Sequence, residues 1–362
     1  MRTPHCCIVL LIFSLGCGIA PNNFNTSQRF YNGTASVGDF FTITLDPNAH
    51  SLTYKNLSNG DSGTTVYTVN EDGTYTLSDP AGNLVSAYEV PGYALLIEAA
   101  KSGPNHNQPA LITAVKKSSV PVSSWASRSY NYMQFRTSFG GIEIGSADVD
   151  SQGNVSATGY WPFGSVGQVS AFNLNSFDTS TVQADVSESF LLLPDRGGAR
   201  DYIFGALDGF FAVDTPNGAL LALRKAATKA FDPSFAGSYR AMFYQKIGAN
   251  MGPNNYEGGA PRLGTAALSI SSTGHITMRS NVGTILLSAT LQPVADASYL
   301  YGPAELEDPF YGSFTFRTIT SNFQQEVFVT FQDRAALFSV FRAKLPWGFG
   351  NTYDYMYGVG LK

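Results

Sequence analysis

Tyr67-Thr68-Val69-Asn70-Glu71-Asp72-Gly73-Thr74-Tyr75-Thr76 returns as Ala147-Asp148-Val149-Asp150-Ser151-Gln152-Gly153-Asn154-Val155-Ser156, and again as Leu268-Ser269-Ile270-Ser271-Ser272-Thr273-Gly274-His275-Ile276-Thr277. Counted from the glycine, positions minus six, minus four and plus two are apolar or aromatic in every copy. Positions minus five, minus three, plus one and plus three are polar. Period two on both sides of a short polar turn is the pattern of a β-hairpin with one buried face. The glycine stands where a tight turn needs positive φ. The expectation is an all-β fold of three tandem antiparallel β modules, each a barrel or sandwich of about 7–8 strands. Val69, Val149 and Ile270 should then turn inward, one into each of three separate cores.

Outward from the hairpin, a second signal recurs in the same order. Ala110-Leu111-Ile112-Thr113-Ala114-Val115-Lys116, Ala219-Leu220-Leu221-Ala222-Leu223-Arg224 and Ala336-Leu337-Phe338-Ser339-Val340-Phe341-Arg342 read as closing strands. Two signals in one order, three times over, mark an internal repeat. The modules are placed at 38–117, 125–226 and 235–345. Ser129-Tyr130-Asn131-Tyr132-Met133-Gln134-Phe135 and Ser238-Tyr239-Arg240-Ala241-Met242-Phe243-Tyr244 open the second and third alike, so these two resemble each other more than the first. Ser118 to Ser124 reads as a linker. Between the second and third modules, Ala226 to Ala230 favours a short helix ended by Pro233. The segment 346–362, with Trp347, Phe349, Tyr353, Tyr355 and Tyr357 among glycines, reads as a tail packed on the third module or as an aromatic surface.

The composition suits strands. Of 362 residues, 44% are hydrophobic and 14% charged, with 36 Gly, 26 Phe and 19 Tyr, which excludes a disordered chain. A formal charge of −5 argues against a nucleic-acid partner, which needs a basic face. After the N-terminus no apolar run approaches the roughly 20 residues of a spanning helix.

All three cysteines, Cys6, Cys7 and Cys17, lie at the N-terminus. Beyond Cys17 there is no thiol for a disulfide or a Cys-based zinc site. Arg2 followed by the apolar run Ile8 to Leu15 has the layout of a signal peptide, over 1–16. Phe13-Ser14-Leu15-Gly16-Cys17 resembles the lipobox of bacterial lipoproteins, with Ser14 where leucine is commonest. The resemblance implies that Cys17 is the lipid-attachment residue, acylated, palmitate among its acyl chains, and first in the processed chain. It implies an extracytoplasmic protein anchored to the bacterial cell envelope, at the outer membrane or cell surface. The Asn-, Ser-, Thr- and Gly-rich stretch 17–37 then reads as a tether. Gly237-Ser238-Tyr239 is similar to the glycine-x-aromatic opening of lipocalin and avidin barrels, which implies a small-ligand binder.

No catalytic constellation emerges. The histidines past the N-terminal segment are His50, His106 and His275. His275 follows a hairpin glycine and reads as solvated surface, and neither a G-x-S-x-G elbow nor an H-E-x-x-H motif occurs. Asp148-Val149-Asp150-Ser151-Gln152-Gly153 begins like a calcium loop, but its twelfth position is Gly159, where a bidentate Glu is required. Alternation points Asp148 and Asp150 outward around Val149, so turn chemistry is the expectation there, as at Asn70-Glu71-Asp72-Gly73 and Asp214-Thr215-Pro216-Asn217-Gly218. Glu305, Glu307 and Asp308 could supply a glycosidase's paired carboxylates. No motif implies a metal or another cofactor. The expected role is binding or structural, at the membrane through the N-terminal lipid, with an envelope glycan, a protein or a small apolar ligand as partner. A small-ligand barrel and a glycan-active enzyme are the alternatives.

Overall fold

The computed structural model describes residues 27–79, 82–102, 108–118, 127–136, 141–151, 155–160, 170–173, 183–185, 190–194, 200–206, 209–227, 230–251, 256–293, 313–319, 323–344 and 352–362. Residues 1–16, read as a signal peptide, together with Cys17, His106, Ser119 to Ser124, Glu305, Glu307 and Asp308, lie outside them. The fold is all-β and antiparallel, as the hairpin pattern predicts.

The first unit is a closed eight-stranded barrel in chain order: β1 (Arg29–Ala35), β2 (Phe40–Asp46), β3 (Ser51–Asn56), β4 (Ser62–Val69), β5 (Thr74–Ser78), β6 (Leu84–Val90), β7 (Ala94–Ser102) and β8 (Gln108–Lys116). β1 pairs with both β2 and β8 and completes the wall. It lies inside 17–37, the stretch read as tether. Tyr31 and Ala35 face the barrel interior. Asn32 and Thr34 face outward and are nevertheless buried, at 1% and 0% exposure. Polar residues hidden in an interface have the same composition as a solvated linker.

The second unit is a nine-stranded sheet: β9 (Arg128–Arg136), β10 (Gly141–Val149), β11 (Val155–Tyr160), β12 (Ser170–Asn173), β13 (Gln183–Asp185), β14 (Phe190–Pro194), β15 (Arg200–Gly205), β16 (Phe210–Thr215) and β17 (Gly218–Arg224), ordered β12-β11-β10-β9-β17-β16-β15-β14-β13. The third is also nine-stranded: β18 (Gly237–Met251), β19 (Tyr256–Ile270), β20 (His275–Ser280), β21 (Ile285–Thr290), β22 (Gln292–Pro293), β23 (Ser313–Ile319), β24 (Phe323–Gln332), β25 (Ala335–Lys344) and β26 (Thr352–Leu361), ordered β21-β20-β19-β18-β26-β25-β24-β23-β22. In both sheets the first strand pairs with the last, and the two edge strands are neighbours in sequence.

This topology corrects the repeat. In the second and third units the glycine hairpin joins strands two and three, but in the first it joins β4 and β5. The closing strand of the third unit is β26, from the aromatic tail, and Ala336 to Arg342 lies in β25, the counterpart of β16. Val149 and Ile270 are buried at 8% and 4% exposure, whereas Val69 is 55% exposed. Val69 is the last residue of β4, paired only at the hairpin tip with Tyr75, so the sheet does not cover it. The short helix expected over Ala226 to Ala230 does not form among the described residues. Asp232 caps a 3-10 turn that starts at Pro233 and ends at Phe235. A proline suits the first position of such a turn, where no N–H is needed.

The cores are not three separate ones. One interior cluster lines the first barrel, another packs within the third sheet, and a smaller one, with Tyr130, Tyr132, Ala147 and Val149, lies on one face of the second. A further cluster draws on the outward faces of all three units, among them Phe40 and Leu96, Phe135 and Leu221, and Tyr244 and Tyr357. Phe40 stacks on Tyr202 at 4.3 Å, and Phe135 meets Tyr244 at 5.1 Å and Tyr357 at 5.7 Å. Such aromatic pairs add roughly 0.5–1.5 kcal/mol each beyond area burial. Strands buried on both faces read as continuous apolar runs, which is why Ala94-Leu95-Leu96-Ile97 and the closing strands lack alternation.

Candidate functional site

Among the described residues, the first barrel is open at one end and sealed at the other. Antiparallel strands alternate in direction, so the β1–β2, β3–β4 and β5–β6 turns share one end, and the start of β1 lies at the opposite one. At that opposite end Arg29 reaches inward. Its Nε and Nη2 donate to the two oxygens of Glu89 at 2.6 and 2.7 Å. The Tyr31 hydroxyl donates to the same Oε1, and the Tyr75 hydroxyl donates to Oε2 at 2.8 Å. Glu89 has no side-chain exposure. A carboxylate so enclosed is tolerable because a bidentate guanidinium and two hydroxyls satisfy it. Burial, reinforced by the Glu89 charge, pushes both phenols far above their ordinary range. This network is the barrel's floor.

Above it lies a cavity of about 630 Å³. Phe41, Ile43, Leu52, Leu77, Ile97 and Ile112 form its apolar wall. Toward the open end the lining turns polar, with Asp39, Asn56, Asp61, Ser62, Asp79 and Glu98. Tyr54 stands between the two zones, its ring edge-on to Phe41 at 6.2 Å. Its phenol is raised by burial and then by the charges of Asp61 and Asp79. Gly63, opposite it on β4, leaves room for the ring: a Cβ there would lie 3.0 Å from the ring atoms. Asp79 accepts from the Asn83 backbone N–H at 2.7 Å and from its Nδ2 at 2.8 Å, which fixes the carboxylate at the rim. Burial raises the Glu98 carboxyl above its usual range, opposed by hydrogen bonding from Ser86, whose backbone N–H donates at 3.1 Å. Eight strands enclose an interior wide enough for one small ligand, and the volume falls within the range of about 300–1,000 Å³ usual for ligand pockets.

The residues weighed in the sequence do not converge on this site. His275 is exposed, its Nδ1 3.1 Å from Thr290 Oγ1 and its Nε2 3.3 Å from Ser288 Oγ. The trio is exposed and made of an imidazole and two hydroxyls, and the reading as solvated surface stands. His50 stacks on Tyr67 at 5.6 Å in an exposed turn. Asp148 and Asp150 are exposed around buried Val149, and Asp148 accepts from Ser129 Oγ. Among the described residues no group of three or more His, Cys, Asp or Glu is placed to hold a metal ion, and no helix is long and apolar enough to cross a membrane.

The sequence reading missed Glu89 and Asp214. Asp214 reads as the first residue of a solvated turn, yet it is 1% exposed. Its Oδ1 accepts from Thr34 Oγ1 of the first barrel at 2.5 Å. The tight β1–β2 turn sits against the following residues: a Cβ on Gly38, whose φ is +91°, would fall 2.5 Å from the carbonyls of Thr215 and Pro216. Glu89 had a signal, an acid between inward-facing Ala87 and a turn, but its partners Arg29 and Tyr31 lay in the presumed tether.

No protein-family model matches the chain, and no curated protein matches it. Among solved structures it is similar to the vaccine antigen transferrin binding protein B of Haemophilus parasuis. A single-mutant form is 6% identical with a TM-score of 0.21, and a double-mutant form 8% identical with a TM-score of 0.25. In both cases 90% of this chain and 67% of that chain are covered. A protein with unknown function of the DUF3598 family from Nostoc punctiforme is 8% identical over 92% of this chain and 94% of that one, with a TM-score of 0.18. At these scores neither fold nor role is carried over.

Proposed function

We propose that this is an extracytoplasmic binding protein, lipid-anchored through Cys17, whose first barrel takes a small, largely apolar molecule. The cavity carries the reading: a closed barrel with a sealed floor, an apolar wall and a polar opening. The lipobox-like stretch supports the anchor, and acyl chains on the native N-terminus, seen by mass spectrometry, would check it.

The cavity is tested by titration with the neutral probe N-phenyl-1-naphthylamine, which brightens in apolar surroundings. The full chain should give a saturable, one-to-one rise in fluorescence. Ile43→Phe, which adds bulk to the wall, should weaken it about tenfold or more while the circular dichroism spectrum is retained. Absence of saturable binding, or binding unchanged in Ile43→Phe and equally in Ile97→Phe, would remove the proposal.

A further inference from the structure

The chemistry of the cavity lining also selects among apolar ligands. Four carboxylates line it, and they come from separate parts of the chain: Asp39 from the β1–β2 turn, Asp61 from β3–β4, Asp79 from the end of β5 and Glu98 from β7. Because these segments gather at the open end, the acids are distributed around the opening. Among the described residues, none of those lining it is Lys, Arg or His. At the floor the Arg29 guanidinium is matched by Glu89, so it offers no positive field to a ligand. Asp39 is 2% exposed, and water screens a charge so enclosed far less than it screens Asp61 at the rim. The enclosed volume is what makes this a site; the carboxylates determine what it prefers.

We infer, on the cavity reading above, that the ligand is an amphiphile with an amine-type cationic head, its apolar body against Ile43 and Leu77 and its head among Asp39, Asp61 and Asp79. An anionic head would meet repulsion from Asp39, Asp61 and Asp79. A neutral head would gain hydrogen bonds alone, from Ser62 and Asn56. An alkylamine is protonated at neutral pH, its pKa near the roughly 10.4 of lysine, and it gains the attraction of several carboxylates where bulk water is partly excluded.

Displacement of bound N-phenyl-1-naphthylamine by decylamine, decanol and decanoate tests this at pH 7 and low salt, each below its micelle concentration. Decylamine should bind about tenfold tighter than decanol, and decanoate weaker than either. The advantage of the amine should shrink as salt is raised. In Asp61→Asn/Asp79→Asn, both at the rim and away from the apolar wall, the amine should lose most of its advantage, keeping only what Asp39 supplies, while the alcohol is unchanged. Equal displacement by all three overturns the cationic class and leaves the cavity standing. A preference for the amine left undiminished in the double variant places its cause elsewhere and also overturns the inference. If none displaces the probe, the cavity reading falls with it.

Discussion

Asp214 holds its carboxyl in a protein interior, between the first barrel and the second sheet, with Thr34 as hydrogen-bond donor. Burial raises its pKa well above the ordinary carboxylate range, and the charges of Asp39 and Asp201 push the same way. The folded chain therefore binds this proton more tightly than the unfolded chain does. Stability from this group is complete below the unfolded value of about 3.9, declines as pH rises from there, and is lost once the raised folded value is passed. Asp214→Asn keeps an acceptor for Thr34 without a titratable proton. Its melting temperature should vary less between pH 5 and pH 8 than that of the parent, and at pH 8 it should be no lower. Parallel curves for the two proteins would show that Asp214 does not set the slope.

At the scale of strands, one device recurs in all three units: an inward aromatic lies over a glycine directly across the ladder. Tyr54 faces Gly63, Tyr132 faces Gly145, Phe243 faces Gly264 and Phe338 faces Gly358. A Cβ on Gly264 would stand 2.5 Å from Phe243 Cζ, and one on Gly358 would stand 2.3 Å from Phe338 Cζ. Gly264→Val should cost about 1–3 kcal/mol by overpacking. Phe243→Ala should cost less in that background than in the parent, a coupling that urea unfolding of the double-mutant cycle measures; strict additivity would disprove the pairing. The same device explains what the sequence concealed. The inward positions of β26 are Met356, Gly358 and Gly360, so the strand looked like a glycine-rich tail, although its outward Tyr355, Tyr357, Val359 and Leu361 belong to the shared cluster. Hairpins with one wet face, such as β19–β20, were legible to the residue because alternation survives there. β1 and β26, whose outward faces are buried against another unit, were not. Nor was the cavity, since an empty interior and a filled one are lined by the same Ile, Leu and Phe.

For the molecule as a whole, the cluster shared by the three outward faces ties the units into one body. Phe135 is 0% exposed and touches rings of the third sheet. Phe135→Ala should cost about 3–5 kcal/mol and lower amide-exchange protection in the first barrel and third sheet as well as in the second. Protection lost from the second sheet alone would mean that the units unfold separately. The ion pair between Asp72, at the tip of the β4–β5 hairpin, and Arg240 of β18, 3.1 Å apart, spans the same junction, but as a half-exposed pair it contributes roughly 0–1 kcal/mol. The sealed end of the first barrel has a consequence for traffic. β1 begins at Arg29, so the chain enters the barrel at the Arg29–Glu89 end, and the polar opening lies at the far end from that entry. Anything entering the cavity would therefore do so from the side away from the N-terminal segment, and lengthening that segment would leave the entrance clear.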